Sequence, residues 1–273
     1  MAPRAQWKGH LKIDEISCAV ALYSGASTSG RTRFHTVNKA TGNRVKREFV
    51  DEKTGKVVDK KSQVKGYETP RGDYIILEQD EIDAAIPESD KMLRVETFVP
   101  VDEVDTVYFD KPYYLAPSDK ASEEAFDLFR EGMKKKKVAA LAKAVLFRRY
   151  RTLLVRPLGD GLVANTLNFD YEVRSADEIF DNVPTVKIKR DMLDLAGHII
   201  DTMKGEFDPS EFDDQYDAAL AELVKAKIEG REIKAPKKAK PAKVIDLMEA
   251  LRASAKAAEK APAKKAGSKR KAA

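Results

Sequence analysis

Between residues 10 and 173 the apolar residues fall into short runs, most of them closed by glycine, proline or asparagine. That rhythm restricts the first two thirds of the chain to an antiparallel sheet or barrel, because alternating βα units need longer helical stretches between strands. Residues 10–23 read as one strand, with Leu11 and Ile13 on one face and, after a shift at Asp14-Glu15, Ile16, Cys18, Val20 and Leu22 alternating. Cys18 is thereby expected in the core. Further strand-like runs cover 45–50, 74–77, 93–99, 104–109 and 113–116. Turn residues Thr41-Gly42-Asn43, Thr54-Gly55, Pro70-Arg71-Gly72 and Pro112 lie between them. The runs 145–155 and 162–173 flank Gly159-Asp160-Gly161, which predicts a hairpin.

Helical periodicity comes later. Residues 119–137 set Ala121, Ala125, Leu128, Phe129 and Met133 on one face and end in four lysines, which complement the helix dipole. Residues 189–204 predict a second helix. Asp208-Pro209-Ser210-Glu211 carries the signals of a third helix start, so a helical hairpin is expected. The fold expected is mixed β/α, with an antiparallel sheet or β-barrel core over 1–185, helices over 186–232 and a disordered lysine-rich tail over 233–273. Inside the tail, Val244, Leu247, Met248, Leu251 and Ala255 make an apolar stripe on a short helix near 243–257, a shape that suits a groove on a partner or else a marginal, transient helix in a disordered tail.

Charge narrows the function. The chain of 273 residues has a net charge of +5, but residues 234–273 alone carry +10, leaving −5 for the rest. Within that acidic body two stretches are basic: 31–65, with 11 cations against four acids, and 130–156, with ten against Glu131 alone. Segregation of this kind suits a polyanion-binding surface on a body that repels nucleic acid elsewhere. The candidate DNA-binding residues are Arg31, Arg33, Arg44, Lys46, Arg47, Lys60, Lys61 and Lys65 in the first run. The second supplies Lys134, Lys135, Lys136, Lys137, Arg148, Arg149 and Arg151, and the tail Lys237, Lys238 and Lys240. Arg148, Arg149, Arg151 and Arg156 are expected on or beside one strand, where a rigid sheet would hold guanidinium groups against a phosphate backbone. Only Phe147 and Tyr150 are aromatic there, which favours duplex backbone contact over stacking on single strands.

Other chemistries find less support. Gly159-Asp160-Gly161-Leu162-Val163-Ala164 matches a dinucleotide-binding pattern, but a strand-like run follows it instead of a helix. His10, His35 and His198 lie far apart, Cys18 leaves no cysteine zinc cluster, and Asp208, Glu211, Asp213 and Asp214 suit helix capping better than metal binding. No catalytic site, metal or cofactor is expected. No apolar run approaches the ~18–20 residues of a membrane span, so a cytoplasmic protein is expected, and DNA binding through the basic runs would make it nucleoid-associated.

A set of fragments in order then becomes informative. They are Trp7-Lys8-Gly9, Leu22-Tyr23-Ser24, Phe34-His35, Val64-Lys65-Gly66-Tyr67-Glu68, Phe98-Val99-Pro100, Tyr108-Phe109-Asp110-Lys111-Pro112-Tyr113-Tyr114-Leu115-Ala116-Pro117, Leu153-Leu154-Val155-Arg156-Pro157, Asp160-Gly161-Leu162-Val163 and Met203-Lys204-Gly205-Glu206-Phe207-Asp208-Pro209. Over about residues 5–232 the chain resembles the bacterial Ku family, the DNA-end-binding proteins of non-homologous end joining. The resemblance implies a seven-stranded barrel whose extensions let two identical chains close a ring around a duplex end. It also implies no enzymatic activity, and recruitment of an ATP-dependent DNA ligase, often a ligase-polymerase, through the C-terminal part. The lysine tail would add sequence-independent affinity. Some relatives carry cysteine pairs near residues 49–55, where this chain reads Phe49-Val50-Asp51-Glu52-Lys53-Thr54-Gly55, so a zinc site is not carried over. The competing reading is a nucleoid-type architectural protein that coats DNA without preferring ends; an end-processing enzyme has no candidate site.

Overall fold

The computed structural model describes residues 4–85 and 90–231. Lys237, Lys238, Lys240, Val244, Leu247, Met248, Leu251 and the helix expected near 243–257 lie outside those residues. The described chain divides into two compact units, the first ending at Ile179 and the second beginning at Phe180.

Seven strands of the first unit close into a barrel. β1 (Trp7–Ile13) and β2 (Ile16–Ser24) form a hairpin, so the stretch expected as one strand is two. The reversal falls at the Asp14-Glu15 shift, where Asp14 takes the left-handed conformation at φ 51°, a region that short polar residues tolerate. The remaining barrel strands are β5 (Met92–Pro100), β6 (Phe109–Pro117), β7 (Val138–Leu146), β8 (Arg149–Leu158) and β9 (Gly161–Leu167), in the order β1-β2-β6-β9-β8-β7-β5. All neighbours are antiparallel except the closing pair, where His10, Leu11 and Lys12 meet Met92, Leu93 and Arg94 in parallel. Gly9 makes that closure possible: a Cβ there would overlap the Lys91 carbonyl oxygen and the Trp7 ring. His10 N–H donates to the same Lys91 carbonyl at 2.8 Å.

Period-two patterning fills the barrel. Leu11, Cys18, Val20, Leu22, Leu93, Leu115, Leu153, Val155, Leu162 and Ala164 pack into one cluster to which β7 also contributes, so all seven strands face it and it is the interior. On β7 the interior positions are Ala140, Ala142, Ala144 and Leu146. α2 (Glu123–Lys136), between β6 and β7, adds the buried Phe126 and Met133 to the same cluster. It lies at the barrel end where β6 and β8 finish and β7 begins. Ser122 Oγ accepts from Ala19 N–H at 2.8 Å, and Arg130 donates to the Gly159 carbonyl of the β8–β9 turn at 3.2 Å. Burial and the nearby charge of Asp119 push the Cys18 thiol up to about 11, so it stays protonated and unreactive at neutral pH.

Three sequence-based expectations change. Residues 104–109 contain a one-turn 3-10 helix, Thr106–Tyr108, and the strand starts only at Phe109. Residues 45–50 form no strand, only an isolated bridge from Val50 to Val57. The signals at Asp208 make the 3-10 turn Pro209–Glu211, with Asp208 accepting from Ser210 N–H at 2.8 Å. The helix itself, α5 (Gln215–Ile228), is capped by the Asp214 carboxylate on Asp217 N–H at 2.9 Å. α3 (Ala176–Phe180) precedes α4 (Arg190–Met203), which matches the expected second helix. The Gly159-Asp160 pair is a tight hairpin turn, with Gly159 at φ 56° and Leu158 paired to Gly161, and β9 follows it. No dinucleotide fold exists there.

Gly132 is an oddity in α2. Glycine in a helix interior costs roughly 0.8–1 kcal/mol relative to alanine, and nothing lies within 4 Å of where its Cβ would be. Gly132→Ala is therefore expected to stabilise the protein by about 1 kcal/mol in a denaturant melt; destabilisation would mean that the helix cannot accept a side chain there.

Candidate nucleic-acid interface

The candidate cations sort by the end of the barrel at which they stand. β2 finishes, β5 starts and β7 turns into β8 at one end; α2 and the β8–β9 turn occupy the other. Between the two ends, β7 alone spans about 30 Å at the usual rise per residue.

The segment joining β2 to β5 leaves and returns at the first end and carries the first basic run. It is a succession of small hairpins. Asn38 N–H donates to Asn43 O and Gly42 N–H to Asn38 O, both at 2.8 Å, reversing the chain at Gly42 with φ 71°. The same pattern repeats from Asp51 to Lys56 with Gly55 at φ 65°, and there the Asp51 carboxylate also accepts from Thr54 N–H at 2.7 Å. Those hydrogen bonds from Thr54 and Lys53 hold the Asp51 carboxyl below its ordinary range. β3 (Lys65–Glu68) and β4 (Tyr74–Leu77) form the third hairpin, followed by α1 (Gln79–Ala85). Arg31, Arg33, Arg44, Lys46, Arg47, Lys60, Lys61 and Lys65 all lie on this segment, and all eight are exposed. The Arg44 guanidinium lies 3.0 Å from His35 Nδ1. None of the eight forms an ion pair with a described residue, so their charge is available to an external anion.

The second run is split by the fold. Its expected strand 145–155 contains a reversal: Phe147 and Arg148 take φ of 51° and 65° and form the two-residue turn between β7 and β8. Positive φ at both positions is type I′ geometry, normally built from Asn-Gly. Here the Phe147 ring packs near Tyr113, with centroids 6.0 Å apart, and Arg148 pairs with Asp83 of α1. Arg149 and Arg151 share the inward parity of Leu153 and Val155 and stand at the barrel mouth, Arg149 exposed and Arg151 half-buried. Arg151 is close enough to Tyr113 to oppose the rise in its hydroxyl pKa, which burial dominates and Asp110 reinforces. Arg156 takes the opposite parity, opposite Val163. The row of four guanidinium groups expected along one strand is thus a turn residue, two mouth residues and one outward residue.

Lys134, Lys135, Lys136 and Lys137 stand at the far end, on the last turn and C-cap of α2. Arg130 is there too, largely buried and engaged by Asp127, Glu131 and Asp160, which gives it a structural role. Conversely, two cations outside both runs join the first end. Arg4 and Lys8 flank a cleft of about 540 Å³ with Trp7 and Tyr23, at the start of β1 and the end of β2. Isolated in sequence, they gave no charge signal; only the β1–β2 pairing brings them to this end.

Arg148→Gly is expected to move stability and binding in opposite directions. A non-glycine residue in left-handed conformation costs about 1–2 kcal/mol, whereas an exposed ion pair such as Arg148–Asp83 contributes about 0–1 kcal/mol. The variant is therefore predicted to melt no lower than the parent while binding linear duplex more weakly. A lower Tm would assign Arg148 to folding.

Among the described residues no group of histidine, cysteine and carboxylate side chains is arranged to hold a metal ion, and no helix is long and apolar enough to cross a membrane. The hydrogen bonds accepted by Asp208 and Asp214 agree with the capping expected for that acidic cluster.

The family model for the Ku70/Ku80 beta-barrel domain matches residues 12–195. A protein of Cereibacter sphaeroides named non-homologous end joining protein Ku is 59% identical over 268 residues, covering 97% of this chain and all of its own. Proteins of the same name from a Bradyrhizobium strain and from Coxiella burnetii are 42% and 34% identical, covering 93% and 98% of this chain and 87% and 100% of theirs.

Proposed function

The chain belongs to the Ku family of non-homologous end joining proteins, and from that premise we propose that two copies form a clamp that takes up the end of a broken DNA duplex without reading its sequence. The segment between β2 and β5 would contribute Arg31, Arg33, Arg44, Lys46, Arg47, Lys60, Lys61 and Lys65 to the DNA-facing surface, with Arg148, Arg149 and Arg151 beside it. Phosphate contacts of this kind position a protein but carry no base information. Twofold symmetry would repeat the same cations on both sides of the duplex. A closed clamp gains specificity from topology, since it threads over an end and has no entry to an intact circle.

The observation that carries the reading is that one segment is both basic and uncovered. Phe34, Phe49, Tyr67, Tyr74 and Ile76 on it are each at least 60% exposed. A monomer gains nothing from exposing so many large apolar side chains to water, and uncovered apolar surface on this scale marks a site of association. Sedimentation of the full chain is expected to give twice its 30.4 kDa mass at micromolar concentration; a monomer under those conditions would contradict the clamp. The lysine-rich residues 233–273 would add affinity outside the clamp, and the C-terminal part would recruit an ATP-dependent DNA ligase. The protein would then act as a non-enzymatic scaffold, holding the end for chemistry done by its partner.

A further inference from the structure

The end of the barrel opposite the proposed DNA-binding surface carries a second surface with its own chemistry. Leu128, Gly132 and Lys136 recur every four residues on α2 and so share one face. With Phe98 near the end of β5, Val138 at the start of β7 and the inner flank of Met133, they line a cleft of about 370 Å³, within the range of ligand clefts at about 300–1,000 Å³. Its walls are hydrocarbon. Leu128 is 63% and Phe98 42% exposed, and Lys136 is the one ionic side chain among the lining residues.

Gly132 adds an independent observation. It has ordinary helical backbone and open space where a Cβ would stand, so neither conformation nor packing within the chain calls for glycine. What glycine does provide is a lowered cleft floor, over which another backbone can come close. Beside the cleft stand Lys134, Lys135, Lys136 and Lys137. The last three form no ion pair with a described residue, and Lys134 reaches only Glu131, at 4.0 Å.

We propose that this cleft receives the apolar face of an acidic amphipathic helix from a partner protein, with Lys134, Lys135, Lys136 and Lys137 facing its carboxylates. Charge selects this occupant over the alternatives. An isologous contact with a second copy would gather eight lysines into one interface with no carboxylate among the cleft-lining residues to offset them. The chain's own residues 234–273 carry +10 and would be repelled. Duplex DNA offers phosphates to the lysines but no aliphatic ridge for the Phe98–Leu128 walls. A helix with leucine-type residues at i, i+4 and i+7 and carboxylates behind them satisfies both halves of the surface.

The probe is a fluorescein-labelled synthetic helix of about 16 residues, with leucine at i, i+4, i+7 and i+11 and mainly glutamate elsewhere, titrated with the full-length protein and read by anisotropy. Saturable binding with a micromolar Kd is expected. Gly132→Leu, which fills the cleft, should weaken it by about tenfold or more, as should joint replacement of Lys134, Lys135, Lys136 and Lys137 by Glu. A peptide with lysine in place of glutamate should not bind the parent. Gly132→Leu is expected to keep the parental melting temperature, oligomeric mass and affinity for linear duplex, because leucine is the better helix former and the space is empty. A folded Gly132→Leu protein that binds the acidic peptide like the parent overturns the proposal. So does a parent with no saturable binding up to about 1 mM. Loss of dimer mass in the variant would make a second copy the occupant, and loss of duplex affinity would make it DNA; either also overturns the proposal.

Discussion

Replacing Arg148, Arg149 and Arg151 together by Glu is expected to lower affinity for a blunt linear duplex by about 10³-fold or more at physiological salt. In a twofold clamp three arginines become six, and reversing them turns attraction into repulsion on both sides of the duplex. Each phosphate contact contributes ~0.9 to the slope of log K against log salt, so losing six should flatten it by ~5. The substitutions are placed where folding tolerates them. Arg148 and Arg149 are exposed, and Arg151 is half-buried. Arg151 stands beside Tyr113, and Asp110 acts on that same ring, so Arg151→Glu is the substitution to control. The companion set, with Arg148, Arg149 and Arg151 replaced by Gln, removes charge without adding repulsion, and its loss of affinity is expected to be smaller. A thermal melt that collapses in the Gln set would move these residues from binding to folding.

Comparable in size is the effect of introducing charge into the uncovered apolar segment. Tyr74 and Ile76 stand two apart on β4 and share one face of the hairpin, where they are 66% and 60% exposed. Burying such a side chain contributes about 2 kcal/mol, and a twofold contact buries four. Tyr74→Asp with Ile76→Asp is therefore predicted to weaken dimerisation by about 10⁴-fold or more, giving monomer in sedimentation at micromolar concentration. The barrel itself, built from other strands, should keep its melting temperature. End binding should fall with the dimer. If the double variant stays dimeric, this segment does not hold the two chains together.

Much of the fold was legible because period-two patterning marks the barrel strands and glycine marks the β8–β9 turn and the reversals between β2 and β5. Thr41-Gly42-Asn43, Thr54-Gly55, Pro70-Arg71-Gly72 and Gly159-Asp160 all stand at chain reversals, with Gly42, Gly55, Gly72 and Gly159 each at positive φ. The two reversals that pattern missed, Asp14-Glu15 and Phe147-Arg148, put non-glycine residues in left-handed conformation. The flanking apolar runs then merge into one long apparent strand. Residues 45–50 hold strand-type side chains, but Val45, Phe49 and Val50 stay exposed, and the segment joins the reversals at Gly42 and Gly55 with no strand partner beyond the Val50–Val57 bridge. The helix signals at Asp208 are spent on a single 3-10 turn because Asp214 caps the true start.

Charge segregation was legible and its spatial arrangement was not. Lys134 and Arg148 belong to one basic run in the sequence, yet β7 carries the chain from one end of the barrel to the other between them. Arg4 and Lys8, distant from either run, end up with Trp7 and Tyr23 at the end where the first run is rooted. A one-dimensional charge profile has no access to strand direction, which decides both outcomes.

A clamp of this kind should hold DNA by its end and not merely by its charge. Competition between a linear duplex and a covalently closed circle of equal length and sequence tests it most directly, because the two present the same phosphates and differ only in topology. The full-length protein is predicted to stay on labelled linear duplex in the presence of excess closed circle and to be displaced by unlabelled linear DNA. Equal displacement by both competitors, or preference for the circle, would contradict the clamp and leave a DNA-coating protein in its place.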